Sequence, residues 1–306
     1  MKKPGTKNIG ASVRQRLLNR ARETGRPFSE ILQYFAMERF LYRLSKSEYA
    51  DKFVLKGALM LSAWNAPLLR PTMDIDLLGR TGNDIGAMVA IVRQLCARHI
   101  EPDDGLVFDP ATIKGERIAE AAEYEGVRIR FRATLDSARI QMQLDIGFGD
   151  VVVPTAVPTI YPTILDLPAP HLLAYSKETA VAEKFEAMVK LGELNSRMKD
   201  FFDIWLLSRS FDFDGSRLCE AIEMTFKRRR TTLPKAEPIA LTPEFFGNSQ
   251  KQTQWAGFVR RMKLRDVPSL GDIVDGLREF LMPPMRALSR SEHFDLKWVS
   301  KDRHWL

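Results

Sequence analysis

The sequence has few of the residues that build disulfide frameworks, zinc sites or nucleophile sites. Its two cysteines, Cys96 and Cys219, lie far apart, and its four histidines stand singly. We therefore expect two reduced, buried thiols and no zinc site, because zinc sites need several such ligands at close spacing. The sequence also contains no Gly-x-x-x-x-Gly-Lys-Ser/Thr run and no Gly-x-Ser-x-Gly run. These two absences exclude a P-loop and a nucleophile elbow.

Long apolar runs are also missing. No stretch approaches the roughly 20 apolar residues that a membrane-spanning helix needs. The basic residues at the N-terminus are not followed by an apolar run, which predicts that the chain has no signal peptide. We therefore expect a cytoplasmic protein that does not bind a membrane.

Basic residues, in contrast, are abundant and clustered. The 306 residues include 46 Lys and Arg against 39 Asp and Glu, which gives a net charge of +7. Clusters lie within residues 2–26, at Lys227–Arg230, and at residues 260–265. Basic clusters attract polyanions without any sequence preference, so nucleic acid is a candidate partner. The alternative is a solvated basic face that binds no ligand.

The periodicity of apolar residues changes along the chain. Residues 12–45 and 85–99 follow helical spacing, whereas apolar and polar residues alternate through 127–132 and 140–146. The alternating segments predict a β-hairpin with one apolar and one polar face.

The second half of the chain has a different pattern. Five prolines between 151 and 170 predict an extended connector. The sequence then has helical character from Ser176 almost to Leu281, with an interruption around 233–249. We predict an α/β domain over residues 1–165, with a mixed sheet and flanking helices, and a mostly helical domain over 166–306.

Three carboxylates are candidates for chemistry. Asp74 and Asp76 flank Ile75 in a short strand pattern, so their side chains lie on the same face of the strand. Asp145 is the one acid on the polar face of its predicted strand. Three carboxylates on neighbouring strands can hold divalent cations for phosphoryl transfer. The alternative for Asp145 is an ion pair with an arginine of the facing strand.

Five sequence blocks between residues 55 and 205 resemble the nucleotidyltransferase AbiEii/AbiGii toxin family, which is part of the polymerase-β-like nucleotidyltransferase superfamily. They are Leu55-Lys56-Gly57-Ala58, Arg70-Pro71-Thr72-Met73-Asp74-Ile75-Asp76-Leu77, Leu144-Asp145-Ile146, Val181-Ala182-Glu183-Lys184-Phe185-Glu186-Ala187, and Met198-Lys199-Asp200-Phe201-Phe202-Asp203-Ile204-Trp205. Ala58 departs from the Gly-Ser or Gly-Gly that the family usually shows, so this position offers only a backbone N–H.

The resemblance implies a nucleotidyltransferase fold and an enzyme that uses Mg²⁺ and NTP. It implies that the metal is held by Asp74, Asp76 and Asp145, which are also catalytic. It implies that the nucleotide is bound by Gly57, Ala58, Arg70, Lys184 and Asp200. The family pairs a lysine with a downstream acid, which corresponds to Lys184 with either Asp200 or Asp203 in a catalytic role. The alternative from helix spacing is an i, i+4 pair of Lys199 with Asp203 and a solvated Lys184.

The resemblance also implies a toxin of a type IV toxin–antitoxin system, an antitoxin partner encoded by a neighbouring gene and, in some relatives, transfer of nucleotides to the 3′ end of tRNA. With the basic clusters, we therefore expect an RNA acceptor. The alternatives are an enzyme that modifies a protein or a small molecule, and a non-catalytic RNA-binding protein on the same scaffold.

Overall fold

The computed structural model describes residues 8–67, 71–120 and 124–306. Within them the helices are α1 Ile9–Thr24, α2 Phe28–Ser45, α3 Leu59–Ala63, α4 Ile85–Ala97, α5 Lys177–Leu191, α6 Met198–Ser210, α7 Gly215–Arg228, α8 Pro243–Gly247, α9 Ser249–Met262 and α10 Leu270–Ser289. The strands are β1 Phe53–Lys56, β2 Ile75–Gly79, β3 Leu106–Glu120, β4 Tyr124–Leu135, β5 Ala138–Phe148, β6 Val157–Ile160, β7 His171–Ala174, β8 Phe213–Asp214, β9 Lys297–Val299 and β10 His304–Trp305.

The described residues form two compact units. The first, called the sheet unit here, lies within residues 8–65, 71–149 and 157–174. The second, called the helical unit, lies within residues 66–67, 150–156 and 175–306. The predicted domain division between residues 165 and 166 stays a prediction, because compactness alone does not establish independent folding.

The sheet unit is built on a mixed seven-stranded sheet with the strand order β3-β4-β5-β2-β1-β7-β6. β2 pairs in parallel with β5, and β1 pairs in parallel with β7, whereas the other neighbours are antiparallel. The predicted α/β fold with a mixed sheet and flanking helices, followed by a mostly helical region, is confirmed.

The predicted hairpin is β4 and β5, joined by a two-residue turn. Leu135 lies opposite Ala138, and the turn residue Asp136 has a φ of 53°, which suits the short polar side chain of an aspartate. The apolar side chains of both strands are buried, as their alternation predicts. This register decides which polar side chains oppose each other on the other face.

Helix α2 packs on the sheet and fixes the segment that leads into β2. The side-chain amide of Gln33 donates to the carbonyl oxygens of Met73, at 3.2 Å, and of Gln141 on β5, at 3.0 Å. The backbone N–H of Thr72 donates to the Tyr34 hydroxyl at 3.1 Å. Gln33 and Tyr34 are both buried, so these bonds hold the backbone before β2 against β5.

The helical unit packs α5, α6, α7 and α10 around buried aromatic side chains such as Phe185 and Phe280. α10 continues through Pro283 and Pro284 to Ser289, beyond the predicted end near Leu281. The predicted interruption around 233–249 contains only short helical turns and α8.

Candidate functional site

Three acids come together on one face of the seven-stranded sheet. Asp76 of β2 lies in register with Asp145 of β5, and Asp74 immediately precedes β2. Each of the three offers a carboxylate oxygen, and these oxygens all lie within 4.8 Å of one another. All three side chains are partly exposed, so the cluster, called the acid triad here, is open to solvent.

Gly57 lies directly against this triad. It follows β1 with a φ of +73°, a conformation that favours glycine. A Cβ at position 57 would lie 1.9 Å from Oδ2 of Asp76, which is far inside contact distance. The glycine therefore makes room for the Asp76 carboxylate.

Neighbouring side chains orient the two outer acids. The Thr72 hydroxyl donates a short hydrogen bond to Oδ1 of Asp74. The side-chain amide of Gln143 donates to Oδ2 of Asp145 at 3.3 Å. These bonds fix the carboxylate planes, as preorganised metal ligands require.

An arginine of the facing strand binds Asp145. Arg128 lies opposite Asp145 in the hairpin register, and its Nε and one terminal nitrogen each donate to a different Asp145 oxygen at 2.7 Å. This bond raises the pKa of Arg128, and the charges of Glu116 and Asp74 act in the same direction. The alternative of an ion pair is thus confirmed, and it coexists with the triad.

The chemistry of the acid triad fits a hard divalent cation. Carboxylate oxygens are the ligands that Mg²⁺ and Ca²⁺ prefer, and three converging acids without a bound cation repel one another. Among the described residues, this is the one group of three metal-ligating side chains at such spacing.

The lysine and acids of the later family motif form a second cluster, which lies within the helical unit. The Lys184 ammonium lies 3.2 Å from Oδ1 of Asp200 and 2.9 Å from Oδ2 of Asp203. Nε of Arg197 donates to the other Asp200 oxygen at 2.6 Å. We call these four residues the lysine–aspartate cluster.

Burial distinguishes the lysine–aspartate cluster from a surface ion pair. The Asp200 side chain is 0% exposed, the Asp203 side chain 3% and the Lys184 side chain 18%. The alternative of a solvated Lys184 is therefore wrong. In the described part of the chain Asp203 pairs with Lys184, and the alternative partner Lys199 is exposed.

The remaining nucleotide-binding predictions are less defined. Ala58 directly precedes α3, which has five residues, so little helix dipole is available there. Arg70 lies outside the described residues. The roles of Gly57, Ala58 and Arg70 toward a nucleotide stay predictions.

The basic cluster at Lys227–Arg230 is divided by the fold. Lys227, Arg228 and Arg230 are exposed, whereas the Arg229 guanidinium pairs with three carboxylates, those of Asp150, Glu183 and Glu186. Burial works to lower the pKa of Arg229, but the three acids raise it well above its ordinary value. Arg229 therefore holds the helical unit together, and the expectation that it binds RNA with its neighbours is wrong.

The sequence did not single out four residues that position the triad: Gln33, Tyr34, Thr72 and Arg128. Arg128 had a signal, because a two-residue turn at Asp136 and Ser137 places it opposite Asp145. The other three act through tertiary contacts that leave no periodicity in the sequence.

A further observation concerns membranes. Among the described residues, no helix combines the length and the apolar character that crossing a bilayer requires.

Comparisons with known proteins give a family and distant structural similarities. JHP933 from Helicobacter pylori matches with 11% identity and a TM-score of 0.46, over 86% of this chain and 90% of its own. A second H. pylori protein, named provisionally as a nucleotidyltransferase, matches with 13% identity and a TM-score of 0.48, over 87% of this chain and 98% of its own.

The assignment to a family rests on the sequence, because both TM-scores lie below 0.5. No curated protein matches the chain. The profile of the family described as "Nucleotidyl transferase AbiEii toxin, Type IV TA system" matches residues 39–283, which include the acid triad and the lysine–aspartate cluster. The chain is therefore a member of the AbiEii nucleotidyltransferase toxin family of type IV toxin–antitoxin systems.

Proposed function

We propose that this protein transfers a nucleotide from an NTP to an RNA acceptor, the 3′ end of a tRNA, with Mg²⁺ held by the acid triad. The observation that carries the proposal is the convergence of Asp74, Asp76 and Asp145 within 4.8 Å on adjacent strands. Phosphoryl transfer needs positioning and charge stabilisation more than covalent chemistry, and three convergent carboxylates can hold the cation that supplies both.

The three acids have separate tasks in this proposal. Asp74 and Asp76 would hold Mg²⁺ against the triphosphate, and Asp145 would complete the metal site. When bound, Mg²⁺ supplies charge that offsets the negative charge developing on the phosphates. Lys184, with Asp200 and Asp203, is assigned to the nucleotide on the family motif.

The reaction is an in-line displacement at the α-phosphorus. The bond from the acceptor hydroxyl oxygen to phosphorus forms as the bond to the β-phosphate oxygen breaks, and pyrophosphate leaves. A carboxylate oxygen of Asp145 accepts the hydroxyl proton in our assignment. Asp145 suits this task because the Gln143 hydrogen bond holds its carboxylate in one orientation beside the other two acids.

An RNA acceptor is favoured by the exposed basic residues. Among the described residues, three exposed basic groups remain when Arg229 is set aside: Arg16, Arg20 and Arg22 on α1; Lys227, Arg228 and Arg230; and Arg260, Arg261, Lys263 and Arg265. The chain's net charge of +7 also favours a polyanion over a small neutral acceptor. We place the reaction in the cytoplasm, with an antitoxin encoded by a neighbouring gene as the protein partner.

The direct test is a transfer assay. Purified protein is incubated with each labelled NTP in turn, Mg²⁺ and total RNA, with Asp76→Asn as the inactive control. Label in the tRNA band supports the proposal. Label in a protein or in a small molecule would show that the acceptor is not RNA. The absence of label with every NTP would favour a non-catalytic RNA-binding protein.

The salt dependence of RNA binding tests the acceptor separately. Several phosphate contacts would cost about 10³-fold in affinity between about 50 and 200 mM salt. Changing Lys227, Arg228 and Arg230 together to Gln should weaken RNA binding and flatten the slope without changing NTP affinity. The matched control removes the same charge elsewhere on the surface, by changing Arg80, Arg98 and Lys301 to Gln. A flat slope for the wild type would contradict an RNA acceptor.

A further inference from the structure

The acid triad has a counter-ion within the protein. Arg128 donates to both oxygens of Asp145, and its side chain keeps 28% exposure. Among the described residues, Asp145 is the one hydrogen-bonding partner of the Arg128 side chain. The neighbouring Arg130, in contrast, binds Glu116 and Gln143.

This arrangement sets two cations in competition for one carboxylate. A divalent ion on the triad needs lone pairs of Asp145 that the guanidinium now uses, and its charge would repel Arg128. Without that ion, the guanidinium offsets part of the repulsion among three crowded acids. The partial exposure of Arg128 allows its guanidinium to leave Asp145 without being trapped unpaired in the interior.

We propose that Arg128 is a displaceable counter-ion that leaves Asp145 when a divalent cation and the NTP bind, and then binds the triphosphate. The inference rests on the proposed function, since it assumes that the triad holds the cation. A guanidinium is suited to this exchange because its planar donors fit a carboxylate and a phosphate equally well. Arg128 is thus a nucleotide-positioning residue that also lowers metal affinity before the nucleotide arrives.

The first measurement is Mn²⁺ binding without nucleotide, followed by electron paramagnetic resonance. Arg128→Gln removes the competitor, so it should bind Mn²⁺ about two- to tenfold more tightly than the wild type. Arg132→Gln, which removes an exposed arginine of the same strand, is the matched control and should bind like the wild type. Unchanged or weaker Mn²⁺ binding by Arg128→Gln would overturn the inference, since a residue that merely orients Asp145 would weaken binding when removed.

The second measurement is the affinity for non-hydrolysable NTP analogues in the presence of Mg²⁺, by calorimetry. Arg128→Gln should bind the analogue about tenfold or more weakly, because a charge-assisted contact is lost. Arg128→Lys keeps the charge but not the two-pronged geometry, and should fall between. It also serves as the test variant if Arg128→Gln melts well below the wild type. Equal affinity in wild type and both variants would overturn the inference.

Failure of the inference can be separated from failure of the proposed function. If Asp76→Asn loses Mn²⁺ binding while Arg128→Gln binds both probes like the wild type, the triad is a metal site and the counter-ion role is wrong. If Asp76→Asn binds Mn²⁺ like the wild type, the cation is not on the triad and both proposals are wrong.

Discussion

The acid triad and the lysine–aspartate cluster use aspartates in opposite ways. In the sheet unit, the three acids are partly exposed, and Asp145 is paired with Arg128. In the helical unit, two buried acids are paired with Lys184 and Arg197. The first cluster is therefore accessible to a cation from solvent, whereas the second is buried and already contains its own cations.

The difference follows from the cost of removing charge from water. A buried carboxylate persists only when its partners replace the lost hydration, so Asp200 and Asp203 require Lys184 and Arg197 to fold. Partly exposed carboxylates keep some water and tolerate crowding until a ligand arrives. A motif acid can thus stabilise the fold, whatever it also does for a nucleotide.

The largest expected effect is on transfer by Asp76→Asn. Loss of one metal-holding charge should lower the transfer rate about 10³-fold, because a bound cation contributes several kcal/mol to catalysis. The free energy of unfolding should stay within about 1 kcal/mol of the wild type, since a crowded negative charge is removed. Transfer assays and urea unfolding measure the two quantities. Asp136→Asn, in the exposed hairpin turn, is the control, and near-normal transfer by Asp76→Asn would end the metal role of this acid.

Lys184→Ala tests the other side of the comparison. It leaves buried carboxylates without a main partner, so the free energy of unfolding should fall by about 3–5 kcal/mol. Lys199→Ala, at an exposed position, should change it by less than about 0.5 kcal/mol. Urea unfolding decides between them. If Lys184→Ala keeps wild-type stability and loses only NTP affinity, the cluster belongs to the site and the contrast drawn above is wrong.

Gly57→Ala should have a smaller effect, which involves both the stability of the fold and the binding of the cation. The left-handed φ alone costs about 1–2 kcal/mol, and the new Cβ must displace the Asp76 carboxylate. We expect lower stability together with weaker Mn²⁺ binding, measured by thermal unfolding and by titration. Gly82→Ala is the control, because nothing lies within 4 Å of a Cβ there. Unchanged Mn²⁺ binding by Gly57→Ala would show that cation binding does not depend on the present position of the Asp76 carboxylate.

The sequence predicted those features that depend on local periodicity. Alternation through β4 and β5 predicted the hairpin, and the family blocks predicted that Asp74, Asp76 and Asp145 act together. The extent of α10 was not predicted, because prolines usually end a helix, whereas here the helix continues through Pro283 and Pro284.

The features that the sequence did not predict depend on tertiary contacts. The three acids that surround Arg229 lie on α5 and at Asp150, both distant in sequence from Arg229, so a run of basic residues could not reveal that one of its members is paired with acids. Gln33 reaches backbone carbonyls of distant segments for the same reason. Side chains of this kind become recognisable only once the chain is folded.

The strand pairing around Asp145 has a consequence for the order of folding. β4 and β5 are joined by a two-residue turn, and such hairpins close within about 1–10 μs. β2 and β5 pair in parallel across the long intervening segment, which is a slower, non-local step. Asp145 should therefore acquire its arginine before it meets Asp74 and Asp76. Pulse-labelling hydrogen exchange during refolding should protect the amides of β4 and β5 ahead of those of β2, so that the arginine screens Asp145 while the like charges are brought together.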